Sequence, residues 1–214
     1  MNQKRRYKSL DVLRGIAVLL VMVGHFLPGY FSTHIGWTGV DLFFVLSGFF
    51  VSGILFKEYI KKGKMHGGRF FIRRIFKIWP LFYTSFFIHL AYFHIKHDPP
   101  SFPKVVTELL FLQDYFRGFM GVTWSLGIEE QFYLLVAILL PMSTFYGKIK
   151  WIVPSCIVII IMCPALRIIH YLSFSQYSPL AYHYPLHLRA DALSAGVLIS
   201  PGSIIFTTKN LHNG

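Results

Sequence analysis

Apolar positions in this chain fall in long runs, without the spaced stripe of a soluble amphipathic helix. The runs are Leu10–Leu27, Trp37–Phe56, Ile75–Phe93, Val122–Met142 and Trp151–Ile169, with a weaker sixth, Ala190–Phe206, interrupted by Pro201. A crossing of the hydrocarbon layer needs roughly 20 mostly apolar residues. Backbone polar groups must be satisfied internally in lipid, so these runs are predicted as helices. The pattern therefore predicts an all-α membrane protein, a polytopic transmembrane helix bundle of about six spans. Polar stretches separate the spans at Pro28–Gly36, Lys57–Arg74, Lys96–Gly121, Ser143–Lys150 and His170–His187. Within Lys96–Gly121 the apolar piece Val105–Leu112 is too short to cross and is predicted as an interfacial or re-entrant helix. Pro80, near the start of the third span, either costs little or kinks the helix.

Composition agrees. Hydrophobic residues make up 54% of the 214, charged residues only 14%, and the mean hydropathy is +0.53. Soluble domains carry about a quarter charged residues. A net charge of +12 invites a nucleic-acid reading, but its distribution argues for topology. Lys4, Arg5, Arg6 and Lys8 precede the first span. Lys57, Lys61, Lys62, Lys64, Arg69, Arg73, Arg74 and Lys77 follow the second, and Lys148, Lys150 and Lys209 fall on the same side. That side holds fifteen of the 21 Lys and Arg, as the positive-inside rule requires for a cytoplasmic N-terminus. No nucleic-acid partner is called for. The basic start followed by an apolar run resembles a signal peptide, yet no small-x-small cleavage site follows and Arg14 interrupts the run. A retained first span is the expectation. Cys156 and Cys163 both fall in the fifth span and are read as buried free thiols.

Ionisable side chains at membrane depth are expensive, so each is a functional candidate. They fall in two layers. His25, Asp41, Glu129, Arg189 and Asp191 lie near the outer ends of their spans; Asp11, Arg14, Arg73, Arg74 and Lys77 lie near the inner ends. Arg14 and His25 are eleven residues apart, about three helical turns, which puts them on one face roughly 16 Å apart. Asp11, three residues before Arg14, is placed to pair with it. Each candidate has a plainer reading: Arg14 as a snorkelling anchor, His25 as an interfacial histidine, Asp41 as a packing or capping residue. Glu129 and its neighbour Glu130 face different sides of one helix, so one of them points into the bundle. Arg73, Arg74 and Lys77 are also cations where topology alone would place them.

Five stretches together resemble the acyltransferase-3 family of integral-membrane O-acyltransferases. They are Leu10-Asp11-Val12-Leu13-Arg14-Gly15 leading to Gly24-His25-Phe26, then Gly39-Val40-Asp41-Leu42-Phe43-Phe44-Val45-Leu46-Ser47-Gly48, and Arg73-Arg74-Ile75-Phe76-Lys77-Ile78-Trp79-Pro80. The last two are Trp124-Ser125-Leu126 through Glu129-Glu130-Gln131-Phe132-Tyr133, and Arg189-Ala190-Asp191-Ala192-Leu193-Ser194-Ala195-Gly196. They occur in family order across nearly the whole chain. One departure is Lys77, where the family usually has a second arginine; lysine keeps the charge but loses the bidentate fork. The family's membrane domain also continues for several more spans, so residues 1–214 resemble the N-terminal part of it, completed by a further chain or left inactive.

The resemblance implies a multi-pass protein of the bacterial cytoplasmic membrane that moves an acyl group, commonly acetyl, from acyl-CoA to a hydroxyl of a surface carbohydrate or lipid-linked glycan. No metal and no permanently bound cofactor is implied; acyl-CoA is a co-substrate. Arg14, Arg73, Arg74 and Lys77 would bind the donor's phosphates. His25 would take the acceptor's proton or carry the acyl group itself, with Glu129 or Asp41 orienting it. Arg189 and Asp191 would stand on the acceptor side. A carrier or ion pathway is the rival class, because buried ionisable groups also relay protons.

Overall fold

The computed structural model describes residues 8–27, 29–173 and 184–200. Among them the ordered elements are α1 (Lys8–Phe26), α2 (Tyr30–Lys62), α3 (Gly67–Ile95), α4 (Phe102–Leu109), α5 (Trp124–Phe145), α6 (Ile152–Ser173) and α7 (Leu186–Leu198). A 3-10 turn at Ile149–Trp151 leads into α6. Four stretches are long and apolar enough to cross a bilayer: Ser9–Phe26, His34–Lys62, Trp124–Phe145 and Ile149–Ser173. The protein is an all-α membrane protein. Helix α3 has 29 residues, about 43 Å of length, but falls outside that apolar set: its second half carries no Lys or Arg, yet Pro80, Tyr83, His89 and His94 dilute its apolar residues. The sixth expected span is described only to Ser200; its remainder lies outside the described residues. So do Lys4, Arg5, Arg6, Lys209 and most of the His170–His187 connection.

Two stretches expected as loops are largely helical. Helix α2 already begins at Tyr30 and continues through the basic stretch to Lys62, 33 residues in all. Lysine and glutamate are good helix formers, so leaving the apolar layer does not end the helix. Gly63 does: it adopts a left-handed φ of 69° while its N–H donates to the Tyr59 carbonyl at 2.7 Å. Glycine takes that conformation without a Cβ penalty. After this turn α3 starts at Gly67.

Helix α2 is the hub. It packs against α1, α5 and α7, while α3 packs on α5 and α6 on α7. Phe44, Val51, Leu55, Phe56, Ile128 and Leu193 form the buried centre. Where α2 crosses α7, a Cβ on Gly48 would strike the Leu193 carbonyl oxygen, and one on Gly196 the Val45 carbonyl oxygen. In lipid, helices gain little from hydrophobic burial against one another, so close main-chain contact at small residues holds them together. The piece expected as a re-entrant or interfacial helix, Val105–Leu112, is only partly helical: α4 starts earlier, at Phe102, and ends at Leu109.

Candidate active site

Helices α2 and α3 converge at the Gly63 turn, and their basic faces enclose a cavity of about 900 Å³. Lys57, Lys61 and Lys62 line it from α2; Arg69, Arg73, Arg74 and Lys77 line it from α3; Leu10, Phe49, Phe50 and Phe70 give it an apolar wall. Arg69, Arg73 and Lys77 stand four residues apart and share one face of α3. Arg74, the next residue round the helix, has its guanidinium carbon 5.0 Å from the centre of the Tyr133 ring and 5.7 Å from that of Phe70. Arg14 reaches the same wall from α1, 4.0 Å over the Phe50 ring. The structure thus gathers the four inner cations named from sequence at one end of the bundle. Among the described residues no carboxylate lies within ion-pairing distance of Arg73, Arg74 or Lys77.

Midway along the bundle, α5 runs beside both α2 and α3, and its adjacent glutamates address one neighbour each. Glu129 accepts the hydroxyl hydrogen of Ser47 on α2, and Ser47 in turn accepts from the Tyr133 hydroxyl at 3.1 Å. Glu130 accepts the indole N–H of Trp79 on α3 at 2.8 Å. Neighbouring residues are about 100° apart on a helix, which lets one turn of α5 serve both sides. Both carboxylates lie close enough to Arg74 to feel its charge.

At the far end, His25 closes the last turn of α1. Its ring is exposed, and Nδ1 sits 2.8 Å from the Val21 carbonyl oxygen. A carbonyl only accepts, so in the neutral ring Nδ1 carries the hydrogen and Nε2 keeps its lone pair free to act as a base. Among the described residues no hydrogen bond or ion pair joins His25 to Glu129 or Asp41; a backbone carbonyl orients the ring. Asp41 pairs instead with Arg189 at 2.7 Å, and that guanidinium lies 5.1 Å over the Trp37 ring. Asp191 pairs with Arg167 of α6 at 2.5 Å. Trp124 stacks on Tyr184 with ring centres 4.4 Å apart. The outer set therefore forms two ion pairs bracketing α7.

A family model described as an acyltransferase domain matches residues 7–206 of the chain. The chain belongs to the acyltransferase-3 family. Among its curated relatives, O-acetyltransferase OatA of Staphylococcus aureus is 28% identical over 190 residues, covering 81% of this chain and 31% of the relative. A second Staphylococcus aureus relative, provisionally named an O-acetyltransferase, is 32% identical over 173 residues, covering 70% of this chain and 28% of the relative. The chain thus spans about a third of the length of these proteins. No solved structure matches it.

Several buried polar contacts of this acyltransferase-family fold have no mark in the sequence. Ser47, Tyr133 and Trp79 lie inside the quoted motifs, but only the folded chain shows them joined to the glutamates. Arg167 was hidden in an apolar run. Glu108 and Asp114 are fully buried in the segment after α3. Glu108 accepts from the Met120 N–H at 3.0 Å and the Thr123 hydroxyl at 2.8 Å. Asp114 accepts from the Gln131 amide at 2.6 Å and the Leu186 N–H at 3.2 Å, clamping this segment to α5 and α7. Burial pushes the Asp114 carboxyl up to about 6 against these hydrogen bonds, and raises that of Glu108 too. The available signal was their setting: an acid amid Phe111-Leu112-Gln113 and Tyr115-Phe116.

Proposed function

We propose that this chain forms the donor-binding and transfer region of a membrane-bound O-acyltransferase. It moves an acyl group, acetyl in keeping with its relatives' names, from acyl-CoA to a hydroxyl of a surface carbohydrate or lipid-linked glycan. The observation that carries the reading is the cavity of about 900 Å³ whose lining combines seven Lys and Arg with an apolar wall. Such a surface suits a ligand with phosphates at one end and a pantetheine arm at the other. Leu10 in that wall and His25 lie fifteen residues apart on α1, about 22 Å, in line with an extended arm running along the helix.

In this scheme the basic end faces the cytoplasm and His25 the other side of the bacterial cytoplasmic membrane. The Nε2 lone pair takes the acceptor hydroxyl's proton as the oxygen attacks the thioester carbon; the C–S bond breaks and CoA leaves as the thiolate or thiol. Arg189 with Asp41, and Asp191 with Arg167, hold α7 beside that exit on the acceptor side. The test is transfer from labelled acetyl-CoA in membranes carrying the chain, with donor binding measured on the same preparations. His25→Ala should lower transfer by about 10²–10⁴-fold and leave CoA binding nearly unchanged, while Arg74→Ala should weaken CoA binding. Loss of CoA binding in His25→Ala with retention in Arg74→Ala would reverse the assignment of the two ends. Should neither variant change either quantity, these ionisable groups are structural.

A further inference from the structure

We propose that Lys62 and Arg69 form a subsite for a phosphomonoester, and that Glu58 is the competing anion that holds it when the donor is absent. The inference rests on the donor reading above and adds to it a second, separate phosphate site with its own displaceable occupant. Among the described residues lining the cavity, Glu58 is the one acid, set against seven Lys and Arg. Its Oε1 lies 3.3 Å from Lys62 Nζ, 2.9 Å from His66 Nδ1 and 3.6 Å from Arg69 Nη1; Oε2 accepts the His66 backbone N–H at 3.2 Å. One wing of the pocket, at the Gly63 turn, is thus engaged internally. The other wing, Arg73, Arg74 and Lys77, has no carboxylate within ion-pairing distance among the described residues, although Glu129 and Glu130 lie close enough to Arg74 to feel its charge.

The two wings are separated along α3. Arg69 and Lys77 stand eight residues apart, about 12 Å along the axis, enough to receive two phosphate groups of one ligand. Coenzyme A presents two: a diphosphate within the chain and a monoester on the ribose. With the diphosphate on the open wing and the pantetheine arm directed along α1, the nucleotide end falls at the Gly63 turn. A phosphomonoester carries about −1.5 to −2 charges near neutral pH, so it displaces a single carboxylate from Lys62 and Arg69. A ribose hydroxyl cannot. The side chains of Lys62 and Arg69 are each about half exposed, so water and space allow the carboxylate to swing out. As CoA departs, Glu58 returns to the same cations, which lowers the affinity of donor and product alike and keeps the exchange of one for the other from being limited by tight phosphate binding.

The test compares CoA with 3′-dephospho-CoA by calorimetry on the detergent-purified chain at fixed ionic strength. The unaltered chain should bind CoA more tightly. Glu58→Gln keeps an acceptor for the His66 N–H and removes the charge. It should tighten CoA roughly five- to tenfold, the order set by one or two half-exposed charge contacts, and change dephospho-CoA by less than about twofold. Arg69→Gln should shrink the preference for CoA, and it tests the subsite even where Glu58→Gln fails to fold. If the unaltered chain binds neither ligand, the donor reading falls and this inference falls with it. Equal binding of the two ligands by the unaltered chain overturns the subsite alone. A Glu58→Gln change that moves both ligands alike, or neither, makes Glu58 a turn staple and overturns its role as competitor.

Discussion

The same substitution at two places on α2 should have opposite effects. Gly48 faces α7 so closely that an added methyl group would meet the Leu193 carbonyl oxygen, with the Gly196 Cα also inside normal van der Waals separation at 3.2 Å. Gly53, five residues further along the same helix, has no heavy atom within 4 Å of the corresponding position. Alanine is about 1 kcal/mol more favourable than glycine in a helix interior, so Gly53→Ala should be neutral or stabilising by up to that amount. Gly48→Ala gains the same propensity but forces two main chains apart; neither contact atom is the end of a flexible side chain. Overpacking of this kind costs about 1–3 kcal/mol or more; the propensity gain is common to both variants and cancels, which leaves a gap of roughly 1–3 kcal/mol between them. Because α7 also carries Arg189, the Asp41–Arg189 pair should loosen in Gly48→Ala. The assay is the thermal or denaturant unfolding midpoint of both variants in one detergent, with cysteine cross-linking between α2 and α7 as a distance readout. Equal midpoints for the two variants would refute the close crossing and the placement of Arg189 that depends on it.

Three further outcomes follow from the site. Asp114 titrates near 6 in the folded chain against 3.8 as its ordinary value. Its contribution to stability is therefore full below about pH 4 and lost as pH rises through about 6, at most about 3 kcal/mol. Asp114→Asn should flatten that stretch of the stability profile, and an unaltered slope would count against it. Lys77→Arg should tighten CoA binding by restoring a bidentate fork, whereas a purely topological cation would show no change in calorimetry. Cysteines placed at Lys62 and Ser101 should react oppositely with a membrane-impermeant thiol reagent in intact cells, Ser101→Cys labelling and Lys62→Cys protected; the inverse pattern would turn the proposed orientation over.

What the chain discloses unfolded depends on whether a signal is local. The spans are local: long apolar runs at Leu10–Leu27 or Trp151–Ile169 can hardly be anything but helices in lipid, and α1 and α6 follow them closely. The basic cluster was legible because the positive-inside rule already places cations at Arg73, Arg74 and Lys77. Its completion was not, since Lys57–Lys62 joins the pocket only when the Gly63 turn folds α2 back on α3. Charge pairing was the least visible. Nothing in Arg189-Ala190-Asp191 says that the arginine turns to Asp41 and the aspartate to Arg167, because these partners are set by the α2–α7 and α6–α7 crossings. His25 stood out as an ionisable group at membrane depth, but the group that orients its ring is a backbone carbonyl four residues earlier, which composition cannot mark.

The uninterrupted length of α2 makes distance and phase separable quantities in this protein. Asp41, Ser47 and Glu58 ride on one 33-residue rod, so their mutual rotation is fixed by residue count alone. One residue inserted between Ser47 and Glu58 would turn the basic end by about 100° against the glutamate layer and scramble the pocket. Seven inserted residues would leave the faces within about 20° of their original alignment while moving the two ends about 10 Å further apart. The helix is in effect a keyed shaft, whose heptad insertions lengthen the distance between Asp41 and the basic end without retuning either.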